Sequence, residues 1–167
     1  MLSINLDNYK LFLLEVGDNA MWLEKLNKIK EEKALYGEKL NKGVEEKILK
    51  RFNRNIKVRG FGASLPYDYV KFLSMFNGLE FNGYIIYGVD DTVSYFVPNQ
   101  EIYGFCLNNF DKEVPHSVVI GESGDIWYIY DYSTRSYFEY DCLAQEKLNE
   151  YKDLDELLDV VLEKALS

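Results

Sequence analysis

The feature that most limits the possible folds is a change in hydrophobic period at Gly78. Before this residue the apolar side chains recur at helical spacing, and after it they alternate as in strands. A final segment, residues 153–166, returns to helical spacing, and Asp153 with Glu156 forms a capping-box-like start. Helices first, strands next and one helix last predict an α+β domain. We expect a mostly antiparallel sheet of about 4–6 strands packed against several helices.

Three helices are predicted in the first third of the chain, and no internal repeat is visible. Their apolar stripes follow helical spacing. The stripes are formed by Tyr9, Phe12, Leu13 and Val16, by Trp22, Leu26 and Ile29, and by Val44, Ile48 and Phe52. We predict a single domain over residues 1–167, in which residues 1–40 are a helical N-terminal extension and residues 41–167 are the core.

The clearest local unit is a fourth helix within residues 65–78. Pro66 suits the first helical turn, where its missing N–H costs nothing, and Asp68 complements the helix dipole. The pair Asn77-Gly78 predicts a left-handed stop. The apolar stripe of this helix consists of Tyr69, Phe72, Leu73 and Phe76.

The strands follow as short apolar runs separated by turns. We predict strands at residues 84–89, 118–120, 126–132 and 137–140, with turns at residues 121–125 and 133–134. The last three strands form an antiparallel meander. Alternation along residues 125–132 defines two faces. One face carries Ile126, Tyr128, Tyr130 and Tyr132, and the other carries Asp125, Trp127, Ile129 and Asp131.

Charge and targeting features narrow the functional class. The net charge is −9, with +4 on residues 1–60 and −13 on residues 61–167. Such a field repels nucleic acid and anionic membranes and attracts a basic protein, although acidic side chains also serve solubility alone. We find no signal peptide and no run long enough to span a membrane. Cys106 and Cys142 are expected to be free thiols, so we expect a cytoplasmic protein.

Residues for catalysis are scarce, so we predict a protein that is not an enzyme. His116 is the single histidine, and without it no Ser-His-Asp or Cys-His system can form. No phosphate-binding, EF-hand or zinc motif occurs, and we expect no cofactor and no metal. A carboxylate-based hydrolase remains a remote alternative. Its acids would come from Glu122, Asp125, Asp131 and Asp141.

The fourth helix carries a family resemblance. The pattern Leu65-Pro66-x-Asp68-Tyr69-x-x-Phe72-Leu73-x-x-x-Asn77-Gly78, followed by an aliphatic strand at residues 84–89, resembles the SUKH superfamily (SMI/KNR type). Residues 119–131 and the closing helix are similar to its YrhA-like bacterial branch. The similarity spans about residues 40–165. The resemblance implies a non-enzymatic domain, in bacteria often an immunity protein that binds a nuclease or deaminase toxin, and otherwise a regulatory scaffold.

A binding surface consistent with that resemblance lies in the acidic half. Residues 80–146 hold 12 acidic against 2 basic residues and 9 of the 14 tyrosines. Acids steer a basic partner and tyrosines are enriched at interfaces, although tyrosines also occupy half-buried core positions. We predict that the partner is a basic toxin domain encoded by a neighbouring gene. The predicted contact residues are Asp90, Asp91, Tyr95, Glu101, Glu122, Asp125, Tyr128, Asp131 and Tyr132.

Overall fold

The structure, a computed structural model, describes residues 21–56, 64–89 and 116–167. In these ranges the chain forms four helices and a six-stranded antiparallel sheet, which confirms the predicted α+β class. The helices are α1 (Met21–Leu35), α2 (Glu46–Ile56), α3 (Tyr67–Met75) and α4 (Leu154–Leu166). The strands are β1 (Leu79–Phe81), β2 (Tyr84–Ile86), β3 (Ser117–Ser123), β4 (Ile126–Asp131), β5 (Ser136–Asp141) and β6 (Glu146–Tyr151). The helix predicted around Tyr9 to Val16 lies outside the described residues.

The sheet is a meander in which each strand pairs with the next along the chain, in the order β1 to β6. Asn82 and Gly83 connect β1 to β2 with positive φ angles of 50° and 80°, as a two-residue hairpin turn requires. Because neighbours are antiparallel, the β1–β2, β3–β4 and β5–β6 turns lie at one end of the sheet. The β4–β5 turn lies at the other end.

The helices cover one face of the sheet, which we call the inner face, and the opposite face is the outer face. A single apolar core joins α1, α2, α3 and α4 to the inner face. The largest fully buried side chains include Tyr69, Tyr128 and Tyr137. A smaller cluster of Val119, Ile129 and Phe138 is buried on the outer face. The alternation predicted along β4 is therefore confirmed, with Tyr128 facing inward and Ile129 outward.

Helix α1, which the sequence places in an N-terminal extension, packs against α4. Trp22 is 2% exposed, and its Nε1–H donates to Asp155 Oδ1 at 2.9 Å. Lys25 Nζ lies 2.9 Å from both Asp159 Oδ1 and Glu163 Oε2. Residues 21–35 thus contribute to the same core as the sheet.

The boundaries of α2 and α3 differ in detail from the prediction. Val44 of the predicted stripe is buried but precedes α2. Within residues 46–54 the buried residue is Leu49, whereas Ile48 and Phe52 are half-buried. Pro66 is the N-cap of α3 and lies just outside its first turn. The helix ends at an extended Phe76, so the left-handed Gly78 (φ 75°) starts the turn into β1 and does not cap the helix directly.

A bulge in β3 corrects the prediction of a turn at residues 121–125. Residues 121–123 continue β3, and the turn consists of Gly124 and Asp125 alone. The register shifts between Val119 and Gly121 opposite β4, so the strand carries one extra residue. A side chain at Gly121 would overlap the carbonyl oxygen of Ile85, which explains the glycine.

Candidate partner-binding surface

Asp68 of the predicted motif connects α3 to two other elements. Its Oδ1 accepts from the Tyr137 hydroxyl at 2.6 Å, and its Oδ2 accepts from the Leu154 backbone N–H at 3.0 Å. Leu154 begins α4, whose N-terminus favours a negative group. Burial, with the Asp68 carboxylate next, raises the pKa of Tyr137. Asp68 therefore fastens three elements together.

Tyr69 and Asn77 hold the backbone that follows β2. The Tyr69 hydroxyl donates to the Tyr87 carbonyl at 2.6 Å. The Asn77 amide makes a two-way contact with Val89, because Nδ2 donates to its carbonyl at 2.7 Å and Oδ1 accepts from its N–H at 2.6 Å. Gly88 packs so closely on Asn77 that a Cβ atom would come within 2.6 Å of Asn77 Oδ1. These motif residues fix the path of the backbone that follows β2.

The described part of the predicted surface divides between the two ends of the sheet. Asp90, Asp91, Tyr95 and Glu101 lie outside the described residues. Glu122 and Asp125 lie at the end with the β3–β4 turn, and Asp131 and Tyr132 lie at the opposite end. The ends are separated by the length of β4, about 17 Å at the usual rise per residue. The predicted residues therefore form two groups, one at each end of β4.

Two of the three predicted tyrosines, Tyr128 and Tyr132, lie in the described residues and point toward the helices. Tyr128 is 1% exposed, and its hydroxyl is 2.7 Å from the Ser123 hydroxyl. Tyr132 is half-buried and donates to the Ser64 carbonyl at 3.0 Å. Burial raises the pKa of both phenols, that of Tyr132 to about 12. Because its side chain is enclosed, Tyr128 provides no surface in this structure.

A row of side chains crosses the outer face at the end that carries Glu122. The register aligns one residue from each of five strands, and we call this set the outer row. It consists of Ile85, Glu122, Trp127, Tyr140 and Lys147. The first four are half-buried and Lys147 is exposed. The rings of Trp127 and Tyr140 are 6.4 Å apart at an interplanar angle of 31°.

Trp127 and Tyr140 were not among the predicted contacts, although a signal for them existed. Strand alternation places Trp127 opposite to Tyr128 and on the side of Asp131. Composition favours tyrosines as a class and does not separate the two faces of a strand. Combining the face with the acids selects Trp127, because it lies directly across from Glu122 in the register.

Several carboxylates surround the outer row, and two of them are held in place. The Tyr87 hydroxyl donates to Glu122 Oε2 at 2.7 Å. Asp141 Oδ1 accepts from the backbone N–H groups of Leu143 and Ala144, both at 2.8 Å. We call the end with the β3–β4 and β5–β6 turns the acidic end. Its acids are Glu80, Glu122, Asp125, Asp141 and Glu146.

The acids considered for hydrolysis do not converge on a cleft. Glu122, Asp125 and Asp141 share the acidic end, whereas Asp131 lies at the opposite end, where its Oδ1 accepts from the Ser133 N–H at 2.7 Å. A shallow depression of about 250 Å³ is lined by Asn41, Lys42, Asn77, Gly88 and Val89, without a carboxylate. Within the described ranges, no three His, Cys, Asp or Glu side chains are grouped to hold a metal ion.

No helix in the described ranges combines the length and the apolar character needed to cross a membrane.

Comparison with known proteins adds no family assignment. A scan against models of protein families found no match to the chain, and a search of curated proteins found no significant similarity.

Proposed function

We propose that this chain is a non-enzymatic protein-binding domain that acts in the cytoplasm as an immunity protein. Its partner is a basic toxin domain of the nuclease or deaminase type, encoded by a neighbouring gene. The binding surface is the acidic end together with the outer row. The motif in residues 65–78 supports a place in the SUKH superfamily, whose bacterial members suggest this role.

The observation that carries the proposal is the combination of aromatic rings and carboxylates at one end of the outer face. Trp and Tyr side chains are enriched among the hot spots of protein interfaces. Trp127 and Tyr140 provide these rings, and Glu122 and Asp125 provide charge beside them. The absence of converging acids on this surface leaves docking as the simplest use of the carboxylates.

Charge complementarity indicates what kind of partner fits. Residues 61–167 carry a net charge of −13, and the acidic end concentrates five carboxylates around three turns. Proteins that bind nucleic acid are basic because they neutralise phosphates. A surface with this charge steers such a protein to rapid encounter and can occupy its phosphate-binding site.

The test is a titration calorimetry measurement with the product of the adjacent gene, inactivated at its own catalytic site. We expect a complex whose affinity falls by tenfold or more between about 50 mM and about 300 mM salt, because added ions screen the charges that steer association. Lack of binding to any neighbouring gene product, or binding that does not change with salt, contradicts the proposal.

A further inference from the structure

The outer face already holds one cation by a ring and a carboxylate. Lys147 Nζ lies 4.6 Å from the centroid of the Phe138 ring. The same Nζ is 3.0 Å from Glu150 Oε2. A bulge in β6 places Lys147 and Glu150 opposite Tyr140 and Phe138, so that all four share the outer face. This face therefore accommodates a positive group between an aromatic ring and an acid.

Trp127 on β4 and Glu122 on β3 repeat this pairing of an aromatic ring with a carboxylate. They are directly opposite in the β3–β4 register, where side chains of a pair are about 4.5–5.5 Å apart at Cβ. Trp is the strongest cation–π acceptor among the side chains. The Glu122 carboxylate is oriented by the Tyr87 hydroxyl, and the Tyr140 ring extends the aromatic surface on the other side of Trp127.

Resting on the proposed function, we infer that Trp127 and Glu122 form a seat for an arginine side chain of the protein partner. The guanidinium stacks on the indole and donates to the Glu122 carboxylate. Asp125, in the adjoining turn, adds negative charge at the rim. An arginine bound in this seat cannot contact a phosphate of the partner's nucleic-acid substrate.

The choice of arginine over lysine follows from the shape of the seat. The guanidinium is planar, stacks on aromatic faces and offers donors in a fixed fork, whereas an ammonium is compact and strongly hydrated. Trp127 and Tyr140 differ in ring plane by 31° and together present a broad aromatic surface. A flat group with edge donors uses both the surface and the carboxylate beside it.

The inference is tested with hexa-arginine and hexa-lysine as probes, followed by ¹⁵N–¹H NMR of the full chain. The protein has two tryptophans, so two indole N–H signals are expected. Hexa-arginine is expected to shift the signal of Trp127 and to leave that of Trp22, which is 2% exposed and bonded to Asp155, unchanged. Assignment comes from the Trp127→Phe variant.

Substitutions then measure the contribution of each group. Trp127→Leu is expected to weaken hexa-arginine binding by about two- to fivefold, the range for a cation–π contact at an exposed site. Glu122→Gln is expected to weaken it by up to about fivefold, the range for an exposed ion pair. Glu122→Gln keeps an oxygen for the Tyr87 hydroxyl, so it changes charge with little effect on packing. The matched control is Tyr67→Leu, which removes an aromatic side chain 80% exposed on α3 and should leave affinity unchanged.

Three results overturn the inference: equal binding of hexa-lysine and hexa-arginine, unchanged affinity in both outer-row variants, or an equal loss in Tyr67→Leu. Its failure is distinguishable from that of the proposed function. If Asp125→Lys weakens the binding of a basic partner, and Trp127→Leu and Glu122→Gln do not, the arginine seat alone is refuted. Hexa-arginine binding at Trp127 without any neighbouring partner refutes the immunity role alone.

Discussion

At the scale of single residues, the half-buried Asp68 and the buried Glu139 each hydrogen-bond to other elements of the fold. Asp68 accepts from Tyr137 and from the first N–H of α4. Glu139 is 1% exposed on β5 and accepts from Lys164 Nζ at 2.6 Å and from Asn149 Nδ2 at 2.7 Å. Both acids lie in the negatively charged part of the chain. Their carboxylate oxygens accept hydrogen bonds from within the protein, so we do not include them in the docking surface.

Asp68→Asn is expected to lower the free energy of unfolding by about 1–3 kcal/mol, because a buried donor loses its acceptor. Asp68 uses one oxygen for Tyr137 and the other for Leu154, whereas asparagine has a single oxygen. Urea unfolding measures the difference. Asp125→Asn, in an exposed turn, is the control and should change stability by no more than about 0.5 kcal/mol. Equal midpoints for both variants would show that the Asp68 bonds are unimportant.

At the scale of elements, hydrophobic periodicity predicted the helices and the inner strands, but it did not predict the two edge strands, β1 and β6. Helix α1 has about four turns of regular apolar spacing. Helix α4 begins after a clear N-cap, Asp153. Strand β1 has three residues, and β6 is exposed at five of its six positions, so neither shows alternation. The Asn82-Gly83 hairpin signal was present but unused. Edge strands with charges and a bulge, such as β6, avoid pairing with other chains.

The candidate site was predicted in part, because strand periodicity shows which side chains share a face but not which strands are neighbours. Alternation gave the two faces of β4 correctly, and Glu122 and Asp125 do lie together. The separation of Asp125 and Asp131 follows from the predicted strand at residues 126–132 and the rise per residue, but the acidic composition of residues 80–146 groups them without regard to it. The need for glycine at residue 121 comes from the close approach of the Ile85 carbonyl, which only the strand pairing reveals.

Gly121 in β3 and Gly124 in the following turn are glycines for different reasons, steric overlap at Gly121 and backbone strain at Gly124. Gly121→Ala places a methyl group against the Ile85 carbonyl and should destabilise at or above the upper end of about 1–3 kcal/mol for overpacking. Gly124→Ala meets open space but has a φ of 57°, which should cost about 1–2 kcal/mol. Thermal unfolding of both variants gives the order. A larger loss for Gly124→Ala would contradict the close approach of the Ile85 carbonyl to Gly121.

At the scale of the whole molecule, buried phenols couple stability to alkaline pH. Burial raises the pKa of Tyr132 and Tyr151 from 10.0 to about 12, and raises those of Tyr69, Tyr128 and Tyr137 as well. Above pH 10 the unfolded chain has lost protons that the folded chain keeps, so folding becomes less favourable. The stabilisation is fully present below pH 10 and is lost as the pH rises toward about 12.

Urea unfolding at pH values from about 8 to about 12 measures this loss, and Tyr132→Phe, which removes one titrating group, should flatten the decline. Phenolate absorbance recorded in parallel should show the enclosed tyrosines titrating only with unfolding. A stability that is constant across this range, or titration of all tyrosines near pH 10 in the folded protein, contradicts the enclosed positions of these phenols.

The claim that the acidic end is the docking surface is tested most directly by charge reversal in the calorimetric titration with the neighbouring gene product. Asp125→Lys should weaken binding by about tenfold, or about 1.4 kcal/mol. Asp131→Lys makes the same charge change about 17 Å away, beyond the Debye length of about 8 Å at physiological salt, and should have little effect. Equal losses in the two variants, or a larger loss for Asp131→Lys, would contradict the account.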